Sequence, residues 1–324
     1  MSEGEPVPGS LYIYAPNKVA PIFFAIAFAL SAIGHTWQCY HYKSWKLIGL
    51  HPLCAWVFTL GYALREYGAF NYIYKGKNLV VLMTFILSQV FIYVCPPLLE
   101  LANYHVLGRA LYYVPFLAPL PPGKVLSTFG AVMLFVEILN SVGVSLAANP
   151  SSSETTQHLG SVLTITAISL QLVVILIFVT LAVIFHFRLR QANIHNKGLS
   201  RTLKTLHTSM ALIFIRCIYR LIEHMGHTSV DLKDIDALRN LTPILRYEWF
   251  FYIFEASLML VNSVIWNVWN PARYLPRHHN IRLATDGATE IHGEEEKDER
   301  PLWAQIASAL TFGLLFRKKY HQAC

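Results

Sequence analysis

Six ionisable side chains lie inside long apolar stretches of the sequence, where they could bind a charged ligand. They are Glu137, Arg216, Arg220, Glu223, Glu248 and Glu255. Charged groups deep in a bilayer are costly, so they normally face one another, a ligand or a water-filled cavity. Two interpretations stay open. The charges form an ion-pair network that only fixes helix packing, or they line a path for protons or for the charged head of an amphiphile.

Spacing groups these residues on two helix faces. One face carries side chains four and three residues apart: Arg216, Arg220 and Glu223. The other carries polar side chains at intervals of seven: Glu248, Glu255 and Asn262. With Glu137 included, carboxylates outnumber arginines in this set. An acidic balance favours a cationic amine as the head group that such a site would bind.

The composition indicates that lipid surrounds these charges. Of the 324 residues, 54% are hydrophobic and 14% are charged, whereas soluble proteins have about 25% charged residues. The net charge of +7 comes from residues beside apolar segments, as in cytoplasmic loops that face anionic lipid. We therefore expect membrane lipids and an amphipathic small molecule as partners, and no nucleic acid. Nothing in the sequence fixes an oligomeric state.

Seven apolar segments are long enough to cross a bilayer as helices, which takes about 20 residues. They cover residues 19–39, 47–67, 79–102, 125–148, 161–187, 205–225 and 246–268. The sequence thus predicts an all-α polytopic membrane protein with about seven transmembrane helices.

Basic residues predict its orientation, because short cytoplasmic loops are rich in Lys and Arg. The connection 188–204 carries five basic residues and the connection 149–160 carries none. With seven crossings, the N-terminus lies outside and the C-terminus in the cytosol. The glycosylation sequon at Asn240 then falls in an outside loop.

Four regions follow from this topology. They are an extracellular tail (1–18), the seven-helix domain (19–276), a charged, solvated cytosolic linker (277–300) and an amphipathic interfacial helix with its tail (301–324). Within the helical domain, the proline-rich segment 103–124 is expected to lie at the membrane interface, since irregular backbone cannot face lipid at depth.

Enzymatic chemistry finds little support in the sequence. Histidines lie near the ends of the predicted helices without HExxH spacing, and five scattered cysteines form no CxxC pair. There is no Walker A loop, GxSxG elbow or dinucleotide fingerprint. We expect no catalytic residues, no metal and no cofactor.

The run Arg216-Cys217-Ile218-Tyr219-Arg220-Leu221-Ile222-Glu223, followed by Arg246-Tyr247-Glu248-Trp249 and Glu255, resembles the RTA1-like family of fungal membrane proteins. The resemblance implies seven spans and membership of a lipid-translocating exporter class linked to sphingoid bases, sterol analogues or porphyrins. One departure lies in the fourth segment, where Glu137, Asn140 and Gly143 stand. The family often has Asp, a later Gln and paired glycines there.

Three functions compete. The first is export of amphipathic lipids (sphingoid-base-like or sterol-like) across the plasma membrane, with resistance to toxic compounds as a consequence. The second is a seven-helix sensor that signals through the cytosolic loop 188–204. The third is a membrane-embedded enzyme, which a purified protein without bound metal would argue against. Dependence of lipid movement on Arg216 would favour the first.

Overall fold

A computed structural model describes residues 5–74, 78–147, 153–194, 196–225, 238–276, 281–284, 287 and 289–292. These residues are mostly helical. The α-helices are α1 (Ala20–Tyr42), α2 (Trp45–Ile48), α3 (Leu50–Phe70), α4 (Leu79–Tyr113), α5 (Pro122–Ala147), α6 (Glu154–Gln191), α7 (Lys197–Met225), α8 (Pro243–Arg246), α9 (Glu248–Phe251) and α10 (Leu258–Val268). Short 3-10 helices cover Pro115–Leu117 and Pro271–Arg273, and a π-helical turn covers Tyr252–Ser257.

Within the described ranges, six helices are long and apolar enough to cross a membrane. They are α1, α4, α5, α6, α7 and the composite helix Glu248–Arg273. Helix α3 has 21 residues, or about 31 Å at ~1.5 Å per residue, but it carries His51, Arg65 and Glu66 and is not among the six. The polytopic all-α fold is confirmed, and the seventh span stays a prediction.

Several helices are longer than their apolar segments. Helix α4 runs through the part of the predicted interfacial segment up to Tyr113 and contains Pro96 and Pro97. Prolines are tolerated in membrane helices because neighbouring groups satisfy the freed carbonyls. The helix ends just before Pro115, since the residue preceding a proline is pushed out of the helical region. Only residues 114–121 of that segment are irregular, apart from one 3-10 turn, since α5 begins at Pro122.

Helices α6 and α7 also extend past the predicted spans. Ser153 caps α6 by accepting a hydrogen bond from the Thr156 amide, so the helix begins well before the apolar segment. At the opposite end, the predicted cytosolic loop 188–204 is mostly helical: α6 continues to Gln191 and α7 begins at Lys197. The connection shortens to residues 192–196.

The composite helix contains a π-helical turn between α9 and α10. In a π turn the backbone bonds skip five residues rather than four, and such turns occur often at functional sites. The Ser257 hydroxyl donates to the carbonyl of Tyr252, five residues earlier, at 2.8 Å. This turn carries Glu255 and changes the helical register between Glu248 and Glu255.

The loops gather at two opposite ends of the helices. At one end the N-terminal segment lies against the α3–α4 connection, where Ser10 pairs with Ile73 and the Tyr74 amide donates to Gly9 at 2.8 Å. At the other end, Arg109 of α4 donates to the carbonyl of Pro276 at 2.8 Å. The α1–α3, α4–α5 and α6–α7 connections lie at this second end too, beside the segment after α10.

Part of the predicted linker 277–300 forms regular secondary structure. Strands β1 (Ile281–Leu283) and β2 (Glu290–His292) form an antiparallel hairpin. Two apolar β1 side chains, Ile281 and Leu283, are buried against the helical core. The predicted interfacial helix 301–324 lies outside the described residues.

Candidate functional site

The central ion pair joins α7 to the π turn. The Nε atom of Arg216 lies 2.6 Å from Oε1 of Glu255, and the side chains are 6% and 0% exposed. The second carboxylate oxygen of Glu255 has no hydrogen-bond partner among the described residues. Two of the six predicted residues therefore meet as a buried pair, held by a single contact.

A second ion pair lies one helical turn further along α7. Arg220 Nη1 lies 2.5 Å from Glu223 Oε2, and Nη2 lies 3.0 Å from His224 Nε2. The guanidinium also packs over the ring of Tyr93 from α4, 4.0 Å from its centroid. Cation–π contacts of this kind are stronger when desolvated. The predicted face of α7 is thus occupied by pairs rather than by free charges.

Glu248 belongs to a separate pair. It lies 2.9 Å from Nη2 of Arg65 on α3, and its Oε2 accepts the backbone amide of Asn17 at 2.6 Å. Arg65 also donates to Tyr14 at 3.2 Å, and burial raises the pKa of that tyrosine above its ordinary value, which keeps it protonated. The spacing of seven predicted one face for Glu248 and Glu255, but the π turn between them directs these glutamates to different arginines.

Glu137 on α5 takes part in none of the ion pairs found among the described residues. Its carboxyl group is half-buried, hydrogen-bonds Asn140 and interacts electrostatically with Arg216. Neighbouring Leu134, Phe135 and Ile138 are exposed. Glu137 therefore lies at the edge of the cluster, beside an apolar surface suited to lipid chains.

One central residue was missed by the sequence analysis. Glu100 of α4 is 0% exposed, and its oxygens accept hydrogen bonds from Tyr104 and, at 2.9 Å, from Gln171 of α6. It interacts electrostatically with Glu137 and Arg216. The signal was an acid inside an apolar run just after Pro96 and Pro97. It was overlooked because the predicted span ended at residue 102 and made Glu100 terminal.

Neutral polar groups hold other helix pairs together. Ser31 and His35 of α1 contact Ser263 of α10 at 2.6 and 3.0 Å, and Asn270 donates to Gln38 at 2.5 Å. Hydroxyl and amide groups are the usual polar contacts between membrane helices. Isolated Ser, His and Gln residues give no periodic signal, so this α1–α10 interface could not be predicted from the sequence.

The histidines do not form a metal centre in the described part of the chain. No group of three or more His, Cys, Asp or Glu residues able to hold a metal ion occurs there. His35 and His51 stack at 5.5 Å between centroids, and the ring of His51 lies 5.2 Å from that of Trp266. The absence of a metal and of enzymatic activity in the protein stays a prediction.

A surface cleft of about 460 Å³ lies at the α1–α2 corner, away from the charged cluster. Its lining is aromatic and basic: Trp37, Tyr40, His41, Lys43 and Trp45. This composition is typical of the membrane–water interface, where tryptophan and lysine meet head groups. Near the opposite end, the glycosylation candidate Asn240 is exposed, next to buried Leu241.

Comparison with known proteins adds an independent finding. The family model described as RTA1 like protein matches residues 53–278. A protein of Leptosphaeria maculans named "Lipid-translocating exporter-like protein RTA1" is 55% identical over 316 residues, which cover 96% of this chain and 60% of that protein. The chain therefore spans about three fifths of that relative's length.

More distant relatives also come from fungi. "Probable lipid transporter atnI" of Emericella nidulans is 25% identical, covering 82% of this chain and 69% of that protein. "Protein RTA1" of Saccharomyces cerevisiae is 23% identical, covering 89% and 93%. No solved structure matches the chain.

Proposed function

The chain belongs to the RTA1-like family, and from this premise we propose that it moves amphipathic lipids across a membrane. Its substrates would be sphingoid-base-like or sterol-like compounds, and export of such compounds would confer resistance to them. We also propose that α3 crosses the membrane together with the six apolar helices, which gives seven spans. The N-terminus would then lie outside and the C-terminus in the cytosol, and the membrane would be the plasma membrane. The proposal assigns no catalytic step to the protein.

The proposal rests on the buried Arg216–Glu255 pair at the π turn, which is surrounded by further carboxyl groups. Electrostatic interactions link four carboxyl groups to two guanidiniums: Glu100, Glu137, Glu223, Glu255, Arg216 and Arg220. An excess of acids in a low-dielectric interior attracts a cation. A sphingoid base carries one amine, whose positive charge would offset part of this imbalance.

Glu137 provides the point of entry. A half-buried carboxylate beside exposed apolar side chains lets an amine leave the interface while its alkyl chain stays in lipid. The amine then reaches Glu255 when Arg216 gives up its single contact with that carboxylate. The free oxygen of Glu255 offers the first hydrogen bond to the incoming group.

Vesicles that contain the purified protein test this function. A labelled sphingoid base should cross faster than in empty vesicles, and a labelled phospholipid serves as the comparison substrate. Glu137→Gln should slow the amine about 10- to 100-fold, because a hydrogen bond to a charged group contributes ~1.5–3 kcal/mol. Exposed Glu154 gives the matched control, and Glu154→Gln should leave the rate unchanged.

Absence of movement from folded protein would contradict the proposal and favour a sensor. Residues 188–204 were the predicted signalling loop, but most of that segment is helical here. Arg201 already packs over Tyr274, 6.0 Å from the ring centroid. A signalling partner would therefore have to bind the short connection 192–196 and the adjoining helix ends.

A further inference from the structure

Glu100 stands apart from the other acids of the cluster. It is 0% exposed, yet none of the ion pairs among the described residues includes it. Glu255, equally buried, has Arg216 at 2.6 Å. The two closest partners of Glu100 are instead the neutral side chains of Tyr104 and Gln171.

A buried carboxyl group without a paired cation is more stable in its neutral form. Transfer of an ionised carboxylate into a low-dielectric interior costs several kcal/mol unless a charge compensates for it. Such a group keeps its proton rather than its charge. The environment of Glu100 therefore favours the protonated acid.

The two partners of Glu100 suit either protonation state. A tyrosine hydroxyl can donate to a carboxylate or accept from a carboxylic acid, and an amide offers both NH₂ and C=O. Tyr104 bonds Oε1 and Gln171 bonds Oε2, so each oxygen has one convertible partner. Rotation of the hydroxyl or the amide lets each partner keep a hydrogen bond to Glu100 when the proton leaves or returns.

The charged and titratable groups that face Glu100 come from three helices. Tyr104 lies on its own helix, Glu137 on α5, and Arg216 and Cys217 on α7. We propose that Glu100 holds an exchangeable proton and releases it to water when a cation enters this cluster. The carboxyl O–H bond breaks, the electron pair stays on Glu100, and the incoming cation replaces the lost positive charge.

Coupling between proton release and amphiphile binding rests on the proposed function, whereas the proton site at Glu100 does not. A cation near Glu100 stabilises the carboxylate, and by linkage the proton weakens binding of the cation by the same factor. One proton would therefore leave for each amphiphile bound. An imposed proton gradient would drive the amphiphile in the opposite direction.

Infrared difference spectra of the full chain in lipid nanodiscs test the proton site without any substrate. Wild-type protein should show the C=O stretching band of a protonated carboxyl group, shifted in D₂O and lost at high pH. Glu100→Gln should lack this band, while Glu137→Gln, a nearby carboxyl with more exposure, should retain it. If the wild-type and Glu100→Gln spectra do not differ in this region, the proton site is overturned.

A second variant guards against misfolding of Glu100→Gln. Gln171→Leu removes one hydrogen-bond partner of Glu100 and should shift the frequency of the same band. A band that stays at its wild-type position in Gln171→Leu would not belong to Glu100, and the inference would fail on that result.

Coupling is tested with a long-chain trimethylammonium amphiphile, whose permanent charge prevents it from following a pH gradient by passive loss of a proton. In proteoliposomes it should accumulate about tenfold per pH unit on the acidic side, since one unit of pH is a factor of ten in proton activity. Glu100→Gln should abolish this accumulation. Movement of the probe in wild type that ignores the gradient would overturn the coupling.

The two proposals can fail separately. A carboxyl band without movement of any lipid would support the proton site and contradict lipid transport. Movement of a sphingoid base without the carboxyl band would support lipid transport and contradict the proton site.

Discussion

Arg216 holds Glu255 through one contact, with Nε lying 2.6 Å from Oε1, and the other carboxylate oxygen has no partner among the described residues. Both side chains are buried. A pair with this geometry is sensitive to loss of either member, because the remaining charge is left without compensation. The second oxygen of Glu255 is therefore available to accept a hydrogen bond from another donor.

The first prediction concerns Arg216→Ala. Removing one partner of a buried pair should destabilise the protein by about 3–5 kcal/mol, measured as a lower thermal unfolding temperature in detergent. The double variant Arg216→Met/Glu255→Met should recover most of that stability, since both charges are removed together. Lys46→Ala, at an exposed position, should change stability by no more than about 0.5 kcal/mol.

Transport by the double variant separates the two interpretations of the pair. A stable double variant that no longer moves a labelled sphingoid base would place the pair in the transport path. A stable double variant with wild-type transport would show that Arg216 and Glu255 serve packing alone.

Most of the long helices could be predicted from the sequence, because a helix that crosses a bilayer needs about 20 mostly apolar residues. The charged residues on α7 were found on one face, and Arg216 does meet Glu255. Helix ends were misjudged where polar residues extend a helix beyond the hydrocarbon region, as in α4 and α7. Length counted from apolar residues cannot register such extensions.

The partners of the charges were harder to predict. The spacing that united Glu248 and Glu255 assumed α-helical geometry, and a π turn, which has no simple sequence signature, separates them. Arg65 lies near the end of the predicted segment 47–67 and was not among the candidate site residues, although it is 2% exposed and binds Glu248. Such pairings depend on which helices become neighbours, and one sequence does not specify this.

The second prediction concerns the N-terminal segment, which Glu248 anchors by accepting the Asn17 amide while pairing with Arg65. Glu248→Gln should weaken this anchor by about 1.5–3 kcal/mol, the range for a hydrogen bond to a charged group. The amides of Leu11 and Tyr74 form hydrogen bonds between the N-terminal segment and the α3–α4 connection. Both amides should exchange hydrogen faster in the variant. Glu5→Gln, in the same segment but exposed, should leave their exchange unchanged.

The third prediction compares two buried helical glycines. A Cβ at Gly160 would lie 2.5 Å from the Ala147 amide nitrogen and 2.7 Å from the Gly143 carbonyl, so α5 and α6 would have to separate. Gly160→Ala should therefore lower the unfolding temperature. A Cβ at Gly108 would meet nothing within 4 Å, and Gly108→Ala should be neutral or stabilising by about 0.5–1 kcal/mol. Equal effects of the two substitutions would contradict the close α5–α6 approach.

The fourth prediction tests the orientation of the helices. If the N-terminus lies outside, exposed Asn240 carries an N-linked glycan, and Asn240→Gln removes the mass that an endoglycosidase releases. Pro150→Ala should create a second acceptor at Asn149, which the predicted topology also places outside. A Pro150→Ala protein that gains no glycan mass, or a wild-type protein without a glycan at Asn240, would argue for the reverse orientation.

Cysteine labelling then distinguishes an odd from an even number of spans. Cys39, Cys54, Cys95 and Cys217 are buried, so a membrane-impermeant maleimide should report mainly on Cys324. With seven spans, Cys324 lies across the membrane from the N-terminus, and labelling requires permeabilised cells. A tag at the N-terminus should be accessible without permeabilisation. If both ends react in intact cells, the number of spans is even, and α3 does not cross the bilayer.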